Sequence, residues 1–143
     1  MSNCEGSLSV GSVAESDRIH SLPCNIDHNG EANISTYFDT TVRSTEQQEL
    51  EASFRGRCLK GSTINVPVGY TGYVFKEERK PITDQEDRVL RATHKFSQFN
   101  YWNLETLPSE NDAMIKAMQW IDIASVLHKV EDDTVNATPE TIR

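Results

Sequence analysis

Four groups of residues in this chain have chemistry to offer. Adjacent carboxylates occur in three places, among them the pairs Glu77-Glu78, Glu86-Asp87 and Asp132-Asp133. Neighbours in an extended chain point to opposite sides, so such pairs rarely converge on one ligand. Two-metal hydrolysis needs several acids from different elements around ions about 4 Å apart, and no spacing here assembles them. The cysteines are Cys4, Cys24 and Cys58, none in Cys-x-x-Cys spacing, and His20, His28, His94 and His128 are scattered. A zinc site needs clustered ligands. An odd thiol count without motif fits a reducing compartment, with thiols acting as small hydrophobes. No Gly-x-Ser-x-Gly elbow is present. Gly56, Gly61, Gly69 and Gly72 are too spread out to form a phosphate loop opening a helix.

The third group is basic. Arg55, Arg57 and Lys60 lie close together, and Phe96, Tyr101 and Trp102 could stack on bases, as in single-strand binders. Charge argues against an independent nucleic-acid grip. The 143-residue chain carries net −8, spread as −6 over residues 1–50, +3 over 51–81 and −5 over 82–143. Such a chain neutralises few phosphates, so the aromatics are better placed filling a core. The fourth group is a stripe at helical spacing, Met114, Ala117, Met118 and Ile121. It faces either the core or a partner.

These residues need elements to position them. Leu50, Ala52, Phe54 and Cys58 alternate with Glu51, Ser53, Arg55 and Arg57, the period of a half-buried strand. Lys60-Gly61-Ser62 reads as the turn, and Ile64, Val66 and Val68 as the returning strand, with Gly69 and Gly72 as bends. Residues 22–26 read as an edge strand marked by Pro23, Asp27-His28-Asn29-Gly30 as a turn, and 31–38 as the next strand. Residues 39–49 are a connection and 76–86 a charged loop. Residues 91–104 form one aromatic strand with imperfect alternation. Pro108-Ser109 opens a helix, with Asp112 completing a capping box, that runs to about Lys129 as one helix or two. Only 36% of residues are hydrophobic. Residues 1–17 and 131–143 read as disordered acidic tails flanking one domain, 18–130. Strands followed by a terminal helix predict a mainly β protein with C-terminal α, a small β-barrel or sandwich. No signal peptide or membrane span is visible, so a soluble intracellular chain is expected.

Several motifs occur in a fixed order. They are Leu22-Pro23-Cys24, Tyr37-Phe38, Val42-Arg43 and the run Ser53-Phe54-Arg55-Gly56-Arg57-Cys58-Leu59-Lys60-Gly61. Val66-Pro67, Gly69 and Gly72-Tyr73-Val74 follow. Phe96-Ser97, Phe99, Trp102, Leu104-Glu105-Thr106, Pro108, Trp120 and His128 complete the set. Together, over residues 22–128, they resemble the C subunit of eukaryotic ribonuclease H type 2. The resemblance implies a non-catalytic accessory member of a nuclear heterotrimer, partnered by the A and B subunits. Its strands would interlace with those of the B subunit into a triple barrel, and this platform would hold the catalytic A subunit. The complex would cut RNA in RNA–DNA hybrids and nick 5′ of single ribonucleotides in DNA, with magnesium in the catalytic A subunit. This chain would hold no cofactor or metal, take no small-molecule substrate and meet no membrane. The chain departs from the family pattern in a short segment between Lys76 and Lys95. It also has Lys60 where arginine also occurs, which keeps the charge but loses the planar fork. On this reading Leu22, Cys24, Phe54, Cys58, Val66, Phe96 and Trp120 are core. Arg55, Arg57, Lys60, Tyr73, Trp102 and Met118 meet a partner or tune the complex, and no residue is catalytic.

Overall fold

A computed structural model describes residues 6–47, 49–83 and 86–128. In chain order the elements are β1 (Gly6–Ser9), β2 (Ala14–Glu15), β3 (His20–Ser21), α1 (Ile34–Tyr37) and a 3-10 turn (Asp39–Thr41). There follow β4 (Arg43–Ser44), β5 (Leu50–Phe54), β6 (Arg57–Asn65), β7 (Gly72–Glu77), β8 (Arg88–Phe96), β9 (Gln98–Leu104) and α2 (Ala113–Leu127). The chain is mainly β with a C-terminal helix.

The strands form two sheets. One runs β3-β9-β6-β5-β4; in the other, β8 is flanked by β7 and by both β1 and β2. No closed barrel forms among the described residues, which corrects the expected small barrel: both sheets keep open edges. The long aromatic strand expected over 91–104 is broken at Ser97, where the chain passes from one sheet to the other. The Ser97 carbonyl accepts from Val66 N–H at 2.8 Å, which pins this corner to the end of β6.

The largest difference from the sequence reading lies in the hairpin. Its turn is Arg55-Gly56, both with positive φ (50° and 75°), and not Lys60-Gly61-Ser62. Two left-handed residues in a two-residue link match the twist of the flanking strands. The registry therefore pairs Ala52 with Leu59 and Phe54 with Arg57. Leu59 takes the core position, and Cys58 turns outward and is exposed. A one-residue change of phase exchanges the two faces of a strand.

Gly61 sits inside β6, across from Trp102. A Cβ there would lie 2.6 Å from the indole and 2.8 Å from the Tyr101 carbonyl. This glycine is needed for close approach. The core cluster against this sheet is Phe38, Ala52, Leu59 and Trp102, with Leu22, Val42, Leu50 and Phe54 packed around them. Phe38 meets Trp102 and Phe54 edge-on at 5.7 and 6.1 Å between ring centres. Ala92 and Phe99 are the other buried hydrophobics, and Phe96 packs edge-on against Phe99.

The strand expected over 31–38 is absent. Instead, 34–37 form one helical turn that delivers Phe38 into the core. The helix expected from Ser109 begins at Ala113 and is single, without a break at Trp120. Ser109 and Asp112 still interact, but as a turn before the helix: Asp112 accepts from Ser109 N–H at 3.2 Å and from Asn103 Nδ2 at 2.6 Å. These hydrogen bonds hold the Asp112 carboxyl below its usual range. Asp112→Ala is expected to speed amide exchange in the first turn of α2 while leaving the thermal midpoint of the sheets nearly unchanged. Equal loosening of β9 would contradict that local role.

Within the segment expected to be a disordered tail, residues 6–9 and 14–15 form β1 and β2, which pair in parallel with β8. None of their strand residues is buried. Ordering a residue costs about 1–2 kcal/mol of backbone entropy, whereas a ladder hydrogen bond returns about 1 kcal/mol net. With no apolar burial to add, these strands are held at the margin. The 131–143 tail lies outside the described residues.

Candidate partner interface

The hairpin tip carries the basic residues singled out in the sequence, but the fold separates them. Arg55 lies in the turn, with its guanidinium 5.7 Å from the centre of the Phe54 ring. Arg57 is exposed at the end of the core-facing side, opposite Phe54. Lys60 is on the other face and half-buried, where the registry sets it across from Glu51, itself across from Arg43. The shared face expected for Arg55 and Arg57 is therefore overturned by the two-residue turn.

Arg55 holds a left-handed backbone that a long side chain adopts at a cost of about 1–2 kcal/mol. Arg55→Asn would give the Asn-Gly turn that such hairpins prefer. The variant is expected to raise the thermal midpoint of the chain. If the guanidinium serves an interface, assembly with a partner weakens in the same variant. An unchanged or lower midpoint would show that the turn is not strained.

Of the other residues assigned to a partner surface, Tyr73 is half-buried in β7 and packs near Phe75. Met118 is half-buried and lines an open groove of about 450 Å³ between α2 and residues 63–68. Trp102 does not belong with them. It is fully buried, the most enclosed side chain among the described residues. Of those assigned to the core, Leu22, Phe54, Val66 and Phe96 are half-buried. Cys24, Cys58 and Trp120 are exposed, Trp120 by 64%, which corrects their placement in the core. Cys24 follows Pro23 in a stretch with no ladder pairing. Cys58 is turned out by the registry of the hairpin. Trp120 lies on the open side of α2.

That helix is the main apolar surface. It contains no buried residue. Met114, Ile115, Met118 and Ile121 are half-buried, while Ala117, Trp120, Ile123, Val126 and Leu127 are exposed. Large apolar residues on the unpacked side of a helix mark an interaction surface. Of the expected stripe, Met114, Met118 and Ile121 are half-buried and Ala117 is exposed.

A polar group beside Trp102 has no local signal in the sequence. The indole Nε1–H donates to His20 Nδ1 at 3.1 Å. His20 Nε2 lies 3.3 Å from Asp39, which is also 3.6 Å from Arg18. His20 and Trp102 are 82 positions apart, so no short-range pattern links them. The indole donor requires an unprotonated Nδ1, which fixes the neutral Nε2–H tautomer. Burial lowers the pKa of this imidazole, and the Asp39 carboxylate offsets part of that shift. A histidine with a lowered folded pKa contributes stability that is present above its ordinary pKa, about 6.5, and lost as pH falls toward the folded value. The urea midpoint is therefore expected to decline as pH drops below about 6.5. Trp102→Phe, which frees Nδ1, should flatten this decline. An equal slope in both proteins would contradict the coupling.

Among the described residues, no three histidine, cysteine or acidic side chains come together to hold a metal. No described helix is long and apolar enough to cross a membrane. Glu77 and Glu78 are occupied by Arg88 and Arg91 across the β7–β8 pair. These features define a strand-rich chain with an apolar C-terminal helix that buries no residue. The sequence model of the family described as "Ribonuclease H2 non-catalytic subunit (Ylr154p-like)" matches residues 18–127. The chain is 32% identical over 132 residues to the ribonuclease H2 C subunit of Bos taurus, covering 77% of this chain and 79% of that one. It is 31% identical over 134 residues to the counterpart in Mus musculus, covering 78% and 80%. An uncharacterised protein of Schizosaccharomyces pombe is 26% identical over 114 residues, covering 73% of this chain and 78% of that one. The chain belongs to the ribonuclease H2 C-subunit family.

Proposed function

We propose that this chain is the non-catalytic scaffold of a nuclear ribonuclease H2 complex. It pairs with the B subunit, and the pair supports the catalytic A subunit, whose acids bind magnesium. The assembly degrades RNA in RNA–DNA hybrids and nicks 5′ of single ribonucleotides in DNA. The observation that carries this reading is a mismatch of burial. Six hydrophobic side chains are buried among the described residues, against fifteen large ones exposed, four of them on α2. A chain with so small a core and open sheet edges gains its missing burial from a partner. Interlacing its strands with those of the B subunit supplies that burial and covers the edges.

Reconstitution tests this. The A and B subunits with this chain should cleave a hybrid in magnesium, and leaving out the chain should abolish assembly and most activity. The chain alone should neither cleave nor bind a hybrid at micromolar concentration and low salt. Tight, salt-dependent binding by the isolated chain would favour an independent nucleic-acid-binding module instead.

A further inference from the structure

We infer that the edge of β8 occupied by β1 and β2 is a strand-acceptor site, at which a strand of the B subunit replaces residues 6–15. This rests on the assembly reading above and adds the point of entry and what must leave it. The two edges of β8 are held very differently. Along one, β7 pairs over six residues in antiparallel fashion, and five of those six are half-buried. Along the other, β1 covers Arg88–Arg91 and β2 covers His94 and Lys95, in parallel. Residues 10–13 make no ladder pair, which leaves Ala92 and Thr93 opposite a gap. All six residues of β1 and β2 are exposed, and Leu8 leaves 64% of its surface in water. The occupant is held mainly by backbone pairing, in two short pieces. A continuous strand would pair along the whole edge, and apolar residues on it would cover Leu90 on one face of the sheet and Val89 on the other, at present half-buried and exposed.

Charge defines the incoming strand further. Residues 88–96 carry Arg88, Arg91, His94 and Lys95 and no acid, apart from which residues 6–17 carry Glu15 and Asp17 and no base. On the β7 side, Glu77 and Glu78 answer Arg88 and Arg91. On the β2 side, the registry sets Glu15 beside Lys95 and Ala14 beside His94. The site therefore suits an extended strand with apolar residues opposite Val89 and Leu90 and an acid near His94 and Lys95. The present occupant supplies that acid and sets Leu8 across from Leu90, but offers only Ser7 across from Val89 and no ladder partner to Ala92 and Thr93.

Hydrogen exchange of the full chain, free and bound to purified B subunit, tests the exchange of strands. On binding, residues 88–96 should gain protection while residues 6–15 exchange about tenfold faster than in the free chain. A lock gives a second measurement. Ser9→Cys with Arg91→Cys places two thiols at paired positions of β1 and β8, within the span of a disulfide. The oxidised chain should bind the B subunit at least about tenfold more slowly than the same chain after reduction. A complex in which residues 6–15 stay as protected as in the free chain overturns the inference, and so does equal binding by oxidised and reduced chains. Absence of any complex would defeat the assembly reading itself. If the double variant does not fold, exchange in the unaltered chain decides alone.

Discussion

Trp102→Ala is expected to abolish independent folding of this chain and to cut the yield of any assembly built on it. The indole is fully buried at the centre of the sheet core, against Phe38 and over Gly61. Truncating a buried tryptophan costs about 3–5 kcal/mol through lost transfer energy and the cavity left behind. Domains of this size have a stability of about 5–15 kcal/mol, and one with so few buried side chains belongs near the lower end. The substitution also strands His20 Nδ1, whose donor is the indole N–H. An unpartnered buried acceptor adds about 1–3 kcal/mol. Trp102→Phe separates the two effects, since it keeps most of the filling and loses only the donor. Soluble yield and the unfolding midpoint, alone and with a partner, read both. A midpoint for Trp102→Ala within a few degrees of the unaltered chain would contradict the assignment of this residue to the core.

Gly61→Val is the second change expected to act strongly. A Cβ at this position meets the Trp102 ring at 2.6 and 2.9 Å and the Tyr101 carbonyl at 2.8 Å. Real Cβ atoms do not come so close, and the neighbours cannot yield easily. The ring is enclosed on all sides, and the carbonyl belongs to the adjacent strand. Overpacking of this kind costs about 1–3 kcal/mol and more where backbone must shift. Gly61→Ala should already lower the midpoint, and Gly61→Val should lower it further. Intrinsic fluorescence of Trp102 would report the displaced ring, with Trp120→Phe as background to isolate its signal. Unchanged stability in Gly61→Val would mean that β6 and β9 lie too far apart for this glycine to matter.

How much of this fold is legible in the sequence follows from the forces at each site. The alternation through Leu50, Ala52 and Phe54 is legible because burial of one face enforces a period of two. The phase of the returning strand is not, because it depends on where the turn falls. Lys60-Gly61-Ser62 has turn composition, yet Gly61 is a strand residue suited to its place by its missing side chain, and the actual turn uses an arginine where Asn or Gly is usual. That displacement moves Cys58 outward and puts Leu59 inward. Residues 31–38 include Ile34, Thr36 and Tyr37, all good strand formers, and tertiary packing of Phe38 overrides the preference. β1 and β2 leave no trace in the pattern because no side chain of theirs is buried, and backbone pairing alone imposes no periodicity. The apolar helix is legible as a candidate interface. Trp120 is not legible as part of it, since an exposed tryptophan and a buried one look the same in a sequence. Family membership is the most legible property of all, because ordered motifs persist where single residues mislead. His20, Asp39 and Trp102 meet only through the fold, so their coupling has no sequence signature.

If this chain completes its core by joining the B subunit, the pair must be more stable than the chain by itself. The most direct measurement compares thermal unfolding and native mass of the chain alone with those of the chain mixed with the B subunit. The expected result is a one-to-one complex that unfolds cooperatively, at a midpoint well above that of the lone chain, which should unfold broadly or self-associate. A lone chain that stays monomeric, unfolds cooperatively and gains nothing from the B subunit would contradict it.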